Sequence, residues 1–202
     1  MNRIMDRDRG AKGAERPFLD KVSEYLLSLP FDLKILQEAV TDPDLDHQAR
    51  ELAAGTIIHT LLPQEGEPGP LRYVDDVLFV RAALSHVVAH GGDGAAAFRA
   101  RFQTDVYDGL DEDIQTFEKG LGELWPWLTS KLGTFVKLGY KGKKPAECVD
   151  DEETASFLYE EGLEFQTNFS VTEEQVHNKL RRPEQIVELL KKKRSDDLKK
   201  HS

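Results

Sequence analysis

Two adjacent carboxylates, Asp75 and Asp76, interrupt the otherwise nearly apolar run LRYVDDVLFVRAAL over residues 71–84. Burying a charged carboxylate is costly unless something pairs with it, so the acids are either a structural fixture or a piece of chemistry, such as a divalent-metal site. Neighbours on a helix point about 100° apart, which predicts one acid facing inward and the other exposed. Arg72, Arg81 and Arg50 are the cations available to them, with Arg72 three and four positions before the pair. The preferred reading is structural: the acids pin the loop 63–70 onto an apolar helix. The letters YVDD also occur in the catalytic turn of reverse transcriptases, but that chemistry needs a strand-turn-strand and a basic cleft, so the match is read as chance.

A second candidate constellation is histidine-based. His86 and His90, in HVVAH, sit at i and i+4 and would share a helix face, as zinc ligands do. His59, from the preceding helix, would complete a three-histidine site for a divalent metal. No Glu follows His86, so the protease signature is absent. Asp75 lies eleven residues before His86, about 16 Å along a helix, so the two cannot share a metal. The competing reading is histidines that are hydrogen-bonded or partly exposed. In DPDLD, Asp42, Asp44 and Asp46 have the alternation of a calcium loop, but His47 and Ala53 stand where that loop needs Gly and Glu. They are read as helix-capping acids. Cys148, the one cysteine, precludes an intrachain disulfide and is read as an incidental surface thiol.

The elements that must position these groups are helical. Apolar residues recur at spacings of three and four, with no sustained alternation of period two, so the fold class is all-α. A first helix carries Phe18, Val22, Tyr25, Leu26 and Leu29 and is expected to close at Pro30, with a second in FDLKILQEAVTD. A third runs to Pro63 after a start with Pro43 and Asp44 in its first turn. The helix from Leu71 is apolar on nearly every side, which places it at the bundle centre and ends it at HGGDG. A short amphipathic helix over 95–108 precedes the most periodic segment, 113–139, which is expected to be one long helix kinked at Pro126. Sparse apolar stripes predict two charged helices, about 152–168 and 173–200, docked weakly. The expected organisation is a disordered leader (1–16), a bundle (17–92), amphipathic helices continuing it (93–140), a linker (141–151) and a charged helical pair (152–202).

Charge narrows the partners. Of a formal net charge of −10, the body 17–178 carries −17, while leader and tail are basic. Such a body repels phosphate backbones, so its core is not expected to bind nucleic acid. No apolar run approaches the about 20 residues of a membrane span, and the start of the chain lacks a secretion-type apolar segment; the expected location is cytoplasmic. Trp125 and Trp127 beside Lys131, Lys137, Lys141, Lys143 and Lys144 raise a competing interfacial-membrane reading, which is not favoured because Glu118 and Glu123 share the helix.

The segment from about Pro30 to Leu84 resembles the YkvA-like family (domain of unknown function 1232), small bacterial helical proteins. The resemblance rests on AVTDPDLDHQARELAAGTIIHTLLP, a Pro/Gly-rich loop, and GPLRYVDDVLFVRAAL, with Gly69, Asp75 and Asp76 matching the family pattern. The family's usual IDLIPD-like loop is replaced by QEGEPG. The resemblance implies a helical fold and brings no reaction.

The functional expectation is a non-enzymatic protein-interaction or scaffold module, partnering another protein or itself through Trp125, Trp127, Phe135 and Leu138 or through the basic tail. The alternatives are a metal-dependent hydrolase using His and Asp ligands, and peripheral membrane association.

Overall fold

The computed structural model describes residues 5–63 and 69–200, with side chains over 16–63 and 69–199. It is an all-α bundle, as expected, and no strand occurs among the described residues. The helices are α1 (Met5–Thr41), α2 (His47–Leu61), α3 (Val74–His90), α4 (Ala95–Arg101), α5 (Leu110–Leu121), α6 (Leu124–Phe135), α7 (Pro145–Asp150), α8 (Glu152–Asn168), α9 (Glu173–Lys179) and α10 (Pro183–Lys200). Helices α1, α2 and α3 pack on one another, α5 and α6 cover α3, and α6 also lies on α2. Helices α7 and α8 close the α1–α2 side, while α9 and α10 ride on α1, with α10 reaching α6.

Helix α1 runs straight through Pro30, contrary to expectation, and begins at Met5 inside the expected leader; residues 1–4 lie outside the described residues. A proline inside a helix costs about 3 kcal/mol. Burial on both sides offsets it: Leu26, Leu29, Leu33, Leu36 and Val40 are all buried in the core, and their stripe keeps its phase across the proline. Helix α3 is buried from Val74 through Leu84 and at Val87, the all-round burial that its composition required. Its exit is set by Gly91 and by Gly92 at φ 69°, a left-handed residue that only glycine adopts cheaply.

The expected long helix 113–139 is two helices. The break falls at Gly122, with φ 52° and ψ −122°, and not at Pro126. Pro126 instead occupies the first turn of α6, where its missing N–H would have had no partner. Helix α2 starts at His47, later than expected, and its N-cap Asp46 makes no side-chain cap bond. Asp42 accepts from the Asp44 N–H at 3.0 Å and pairs with Arg101 at 2.7 Å, so it closes a turn instead of capping a helix.

The expected linker 141–151 is ordered. Tyr140 and Lys143 exchange backbone hydrogen bonds around a two-residue turn, and α7 follows. Cys148 on α7 is buried, not on the surface, and burial pushes its thiol up to about 11. The last segment is three helices, α8 to α10, separated at 169–172 and 180–182, and it is firmly seated: Val176, Leu180, Ile186 and Leu190 are all buried. None of the described helices is long and apolar enough to cross a membrane.

Candidate functional site

Asp75 and Asp76 open α3 just after the 3-10 turn Gly69–Tyr73, in the first helical turn where free N–H groups favour negative charge. Both are buried, Asp75 6% and Asp76 0% exposed, which corrects the expectation of one inward and one outward acid. Helix α10, which brings Lys193, and helix α2, which brings His59, cover the two directions. Their partners are not the arginines. The Asp75 carboxylate takes the Lys193 ammonium from α10 at 2.5 Å, and Asp76 meets His59 Nδ1 from α2 at 3.2 Å. Residues 64–68, most of the loop that the acids were expected to pin, lie outside the described residues.

The sequence placed Arg72 and Arg81 at this site, but both are employed elsewhere. The Arg72 guanidinium lies 4.9 Å from the Tyr73 ring centre. Arg81, 4% exposed, grips Asp32 of α1 through two bonds at 2.8 and 2.9 Å and stacks over Tyr25 at 3.4 Å. The Tyr25 hydroxyl donates to Asp113 of α5, which Lys21 also approaches at 3.3 Å. Arg50 binds the Val40 and Val149 carbonyls at 2.9 and 3.2 Å, tying the end of α1 to α7.

Burial drives the electrostatics of these groups. It is the largest cause of a raised Asp76 carboxyl, the adjacent Asp75 charge adds to it, and His59 and Lys193 oppose it. Asp32 is pushed up to about 6 by burial against the pull of Arg81. The buried acids are thus held in ion pairs and hydrogen bonds drawn from other helices. That arrangement ties helices together, with Lys193, 29% exposed, as the member nearest solvent.

The expected trio His59, His86 and His90 is not assembled. His59 stacks on Phe135 with ring centres 4.2 Å apart and lies edge-on to Phe79 at 5.0 Å. This contact needs α6 close to α2, and Gly55, one turn before His59, allows it: a Cβ there would lie 2.7 Å from the Phe135 carbonyl. His86 and His90 lie together, ring centres 4.3 Å apart, on a cavity of about 310 Å³ lined also by Trp125 and Leu132. Burial, with help from His90, lowers the pKa of His86. Among the described residues no three His, Cys, Asp or Glu side chains group to hold a metal ion.

The four residues of the expected interaction face pack into or against the core to different degrees. Trp125 and Phe135 are buried in the chain's own core, and Trp127 and Leu138 are half-buried against it.

Asp32 and Lys193 are the participants that the sequence reading missed, and both carried a signal. Asp32 falls on the apolar stripe of α1, three residues after Leu29, and Lys193 continues the buried Ile186–Leu190 stripe of α10 at i+7. Asp75 stands out by a related cue, a charge inside an apolar run. No protein-family model, curated protein or solved structure matches this chain.

Proposed function

We propose that this is a non-enzymatic, cytoplasmic interaction module that offers its basic C-terminal helix α10 to an acidic partner protein. The observation that carries the reading is the Lys193–Asp75 pair, which keys a mostly polar helix into the innermost helix of the bundle. Beyond Leu190 the seat of α10 is electrostatic: Lys193 meets Asp75, and Lys131 of α6 meets Asp197. Lys191 and Lys192, beside the latch, are exposed, and Leu198 is 62% exposed. A helix end held by charge can be released or recruited by competing charge, and an acidic surface is the complement to the run Lys191–Arg194. The resemblance to the YkvA-like family assigns no reaction to the Asp75–Asp76 helix.

The test is capture from the native cytoplasm by the full chain and by Lys191→Glu/Lys192→Glu/Arg194→Glu, which leaves Lys193 in place. A protein held by the first and not by the second, and released by salt, supports the proposal. Equal capture by both chains, or no capture, rejects it. Light scattering on the same samples reads self-association, and stoichiometric zinc or manganese in the purified protein would favour the hydrolase reading instead.

A further inference from the structure

Away from the acid latch, α8 and the turns at 69–73 and 140–143 enclose a second cavity, of about 230 Å³. Aromatic and acidic side chains share its lining: Tyr73, Tyr140, Phe165 and Phe169 stand together with Glu161 and Glu164. Three of the rings form a mutually packed set. Tyr73 lies 5.9 Å from Phe165 and 5.2 Å from Phe169, and Phe165 lies 5.4 Å from Phe169. The fourth ring, Tyr140, donates its hydroxyl to Glu161 at 2.7 Å, which fixes the carboxylate against the aromatic wall. Electron-rich ring faces beside a carboxylate form the chemistry that recognises organic ammonium ions.

The chain already places an ammonium there. Lys141 Nζ lies 2.7 Å from both Glu161 oxygens and 5.3 Å from the Tyr140 ring centre. It does so from an unfavourable backbone position. Lys141 has φ 47° and Gly142 has φ 81°, the two positive values of a tight hairpin turn whose first position favours Asn, Asp or Gly. Lysine is the only non-glycine residue with positive φ among the described residues, so turn geometry does not account for its choice. Its side chain does: it supplies the cation that Glu161 and Tyr140 hold. With Lys141 swung out, which its exposed position permits, Glu161 and Glu164 would stand among the described lining residues, and the nearby Arg72 guanidinium lies 4.9 Å from the Tyr73 ring centre.

We propose that this cavity binds a small organic cation of the alkylammonium class, and that Lys141 occupies the site as an internal competitor until such a cation displaces it. The binding enthalpy comes from ring faces and Glu161, and the competitor sets a threshold concentration below which the site stays self-filled.

The test uses the full chain, with tetramethylammonium and choline as probes, following the tyrosine and phenylalanine ring resonances by NMR against sodium chloride at equal concentration. Saturable shifts with both probes and none with sodium are expected. The neutral carbon isostere of choline, 3,3-dimethyl-1-butanol, separates cation recognition from simple apolar filling and is expected to bind roughly tenfold more weakly or not at all. Lys141→Gly suits the turn and removes the competitor, so it should tighten choline binding several-fold, whereas Glu161→Gln should weaken it. The inference is overturned if the isostere binds as well as choline, if Lys141→Gly leaves the affinity unchanged, or if neither probe shows saturable shifts with that variant.

Discussion

Replacing Lys193 by methionine is predicted to destabilise the fold by about 2–3 kcal/mol, although the residue lies on a charged terminal helix where substitutions are ordinarily worth less than about 0.5 kcal/mol. The magnitude follows from where its partner sits. Breaking a fully buried ion pair costs about 3–5 kcal/mol because the survivor is left uncompensated, while an exposed pair is worth about 0–1 kcal/mol. Here the Asp75 side chain is 8% exposed and Lys193 29%, so the pair falls between the two limits, nearer the buried one. Asp76, fully buried next door, adds repulsion once the lysine is gone. Lys191→Met and Lys192→Met, on exposed neighbours of the same helix, serve as controls and should each cost less than about 0.5 kcal/mol. In an Asp75→Asn background, Lys193→Met should cost about as little as those controls, since the carboxylate it neutralises is absent. Urea unfolding with linear extrapolation reads all of these values. The reasoning fails if Lys193→Met lies within about 0.5 kcal/mol of Lys192→Met, or if the Asp75→Asn background does not shrink its effect.

Other perturbations probe the remaining buried groups. Asp32→Leu should cost about 3–5 kcal/mol because Arg81 cannot shed its charge, whereas Asp32→Leu/Arg81→Met should be close to neutral or stabilising, as expected where burial raises the Asp32 carboxyl despite its arginine; chemical denaturation of both variants checks the contrast. Gly55→Ala should destabilise by about 1–3 kcal/mol, opposite in sign to helix propensity, because the new Cβ meets the Phe135 backbone; the thermal midpoint is the readout. The Asp76 carboxyl is raised above its ordinary 3.8, so the folded chain binds a proton that the unfolded chain releases, and this group's contribution falls as pH climbs upward from about 4. Asp76→Asn, which keeps His59, Asp75 and Lys193 around the position, should remove that part of the slope when urea midpoints are followed from acid to neutral pH.

Helical class, the centrality of α3 and the oddity of two acids inside it were all legible in the residues, because each is a local consequence of periodicity or of the cost of burying charge. The continuity of α1 was legible too, in a stripe that keeps its phase across Pro30, but a proline's local veto outweighs that stripe until the packing on both sides is known. Gly122 and Pro126 are both local reasons for a break, and the chain takes it at Gly122, leaving Pro126 in the first turn of α6. What the acids pair with was beyond local reading. Arg72 and Arg81 are near Asp75 in sequence, yet Arg81 is drawn to Asp32 on α1, and the cation that reaches Asp75 comes from Lys193, over a hundred residues away. Sequence patterns report which faces are apolar and which charges must find partners; the choice of partner belongs to the crossing of helices in space, where distances between remote segments are set.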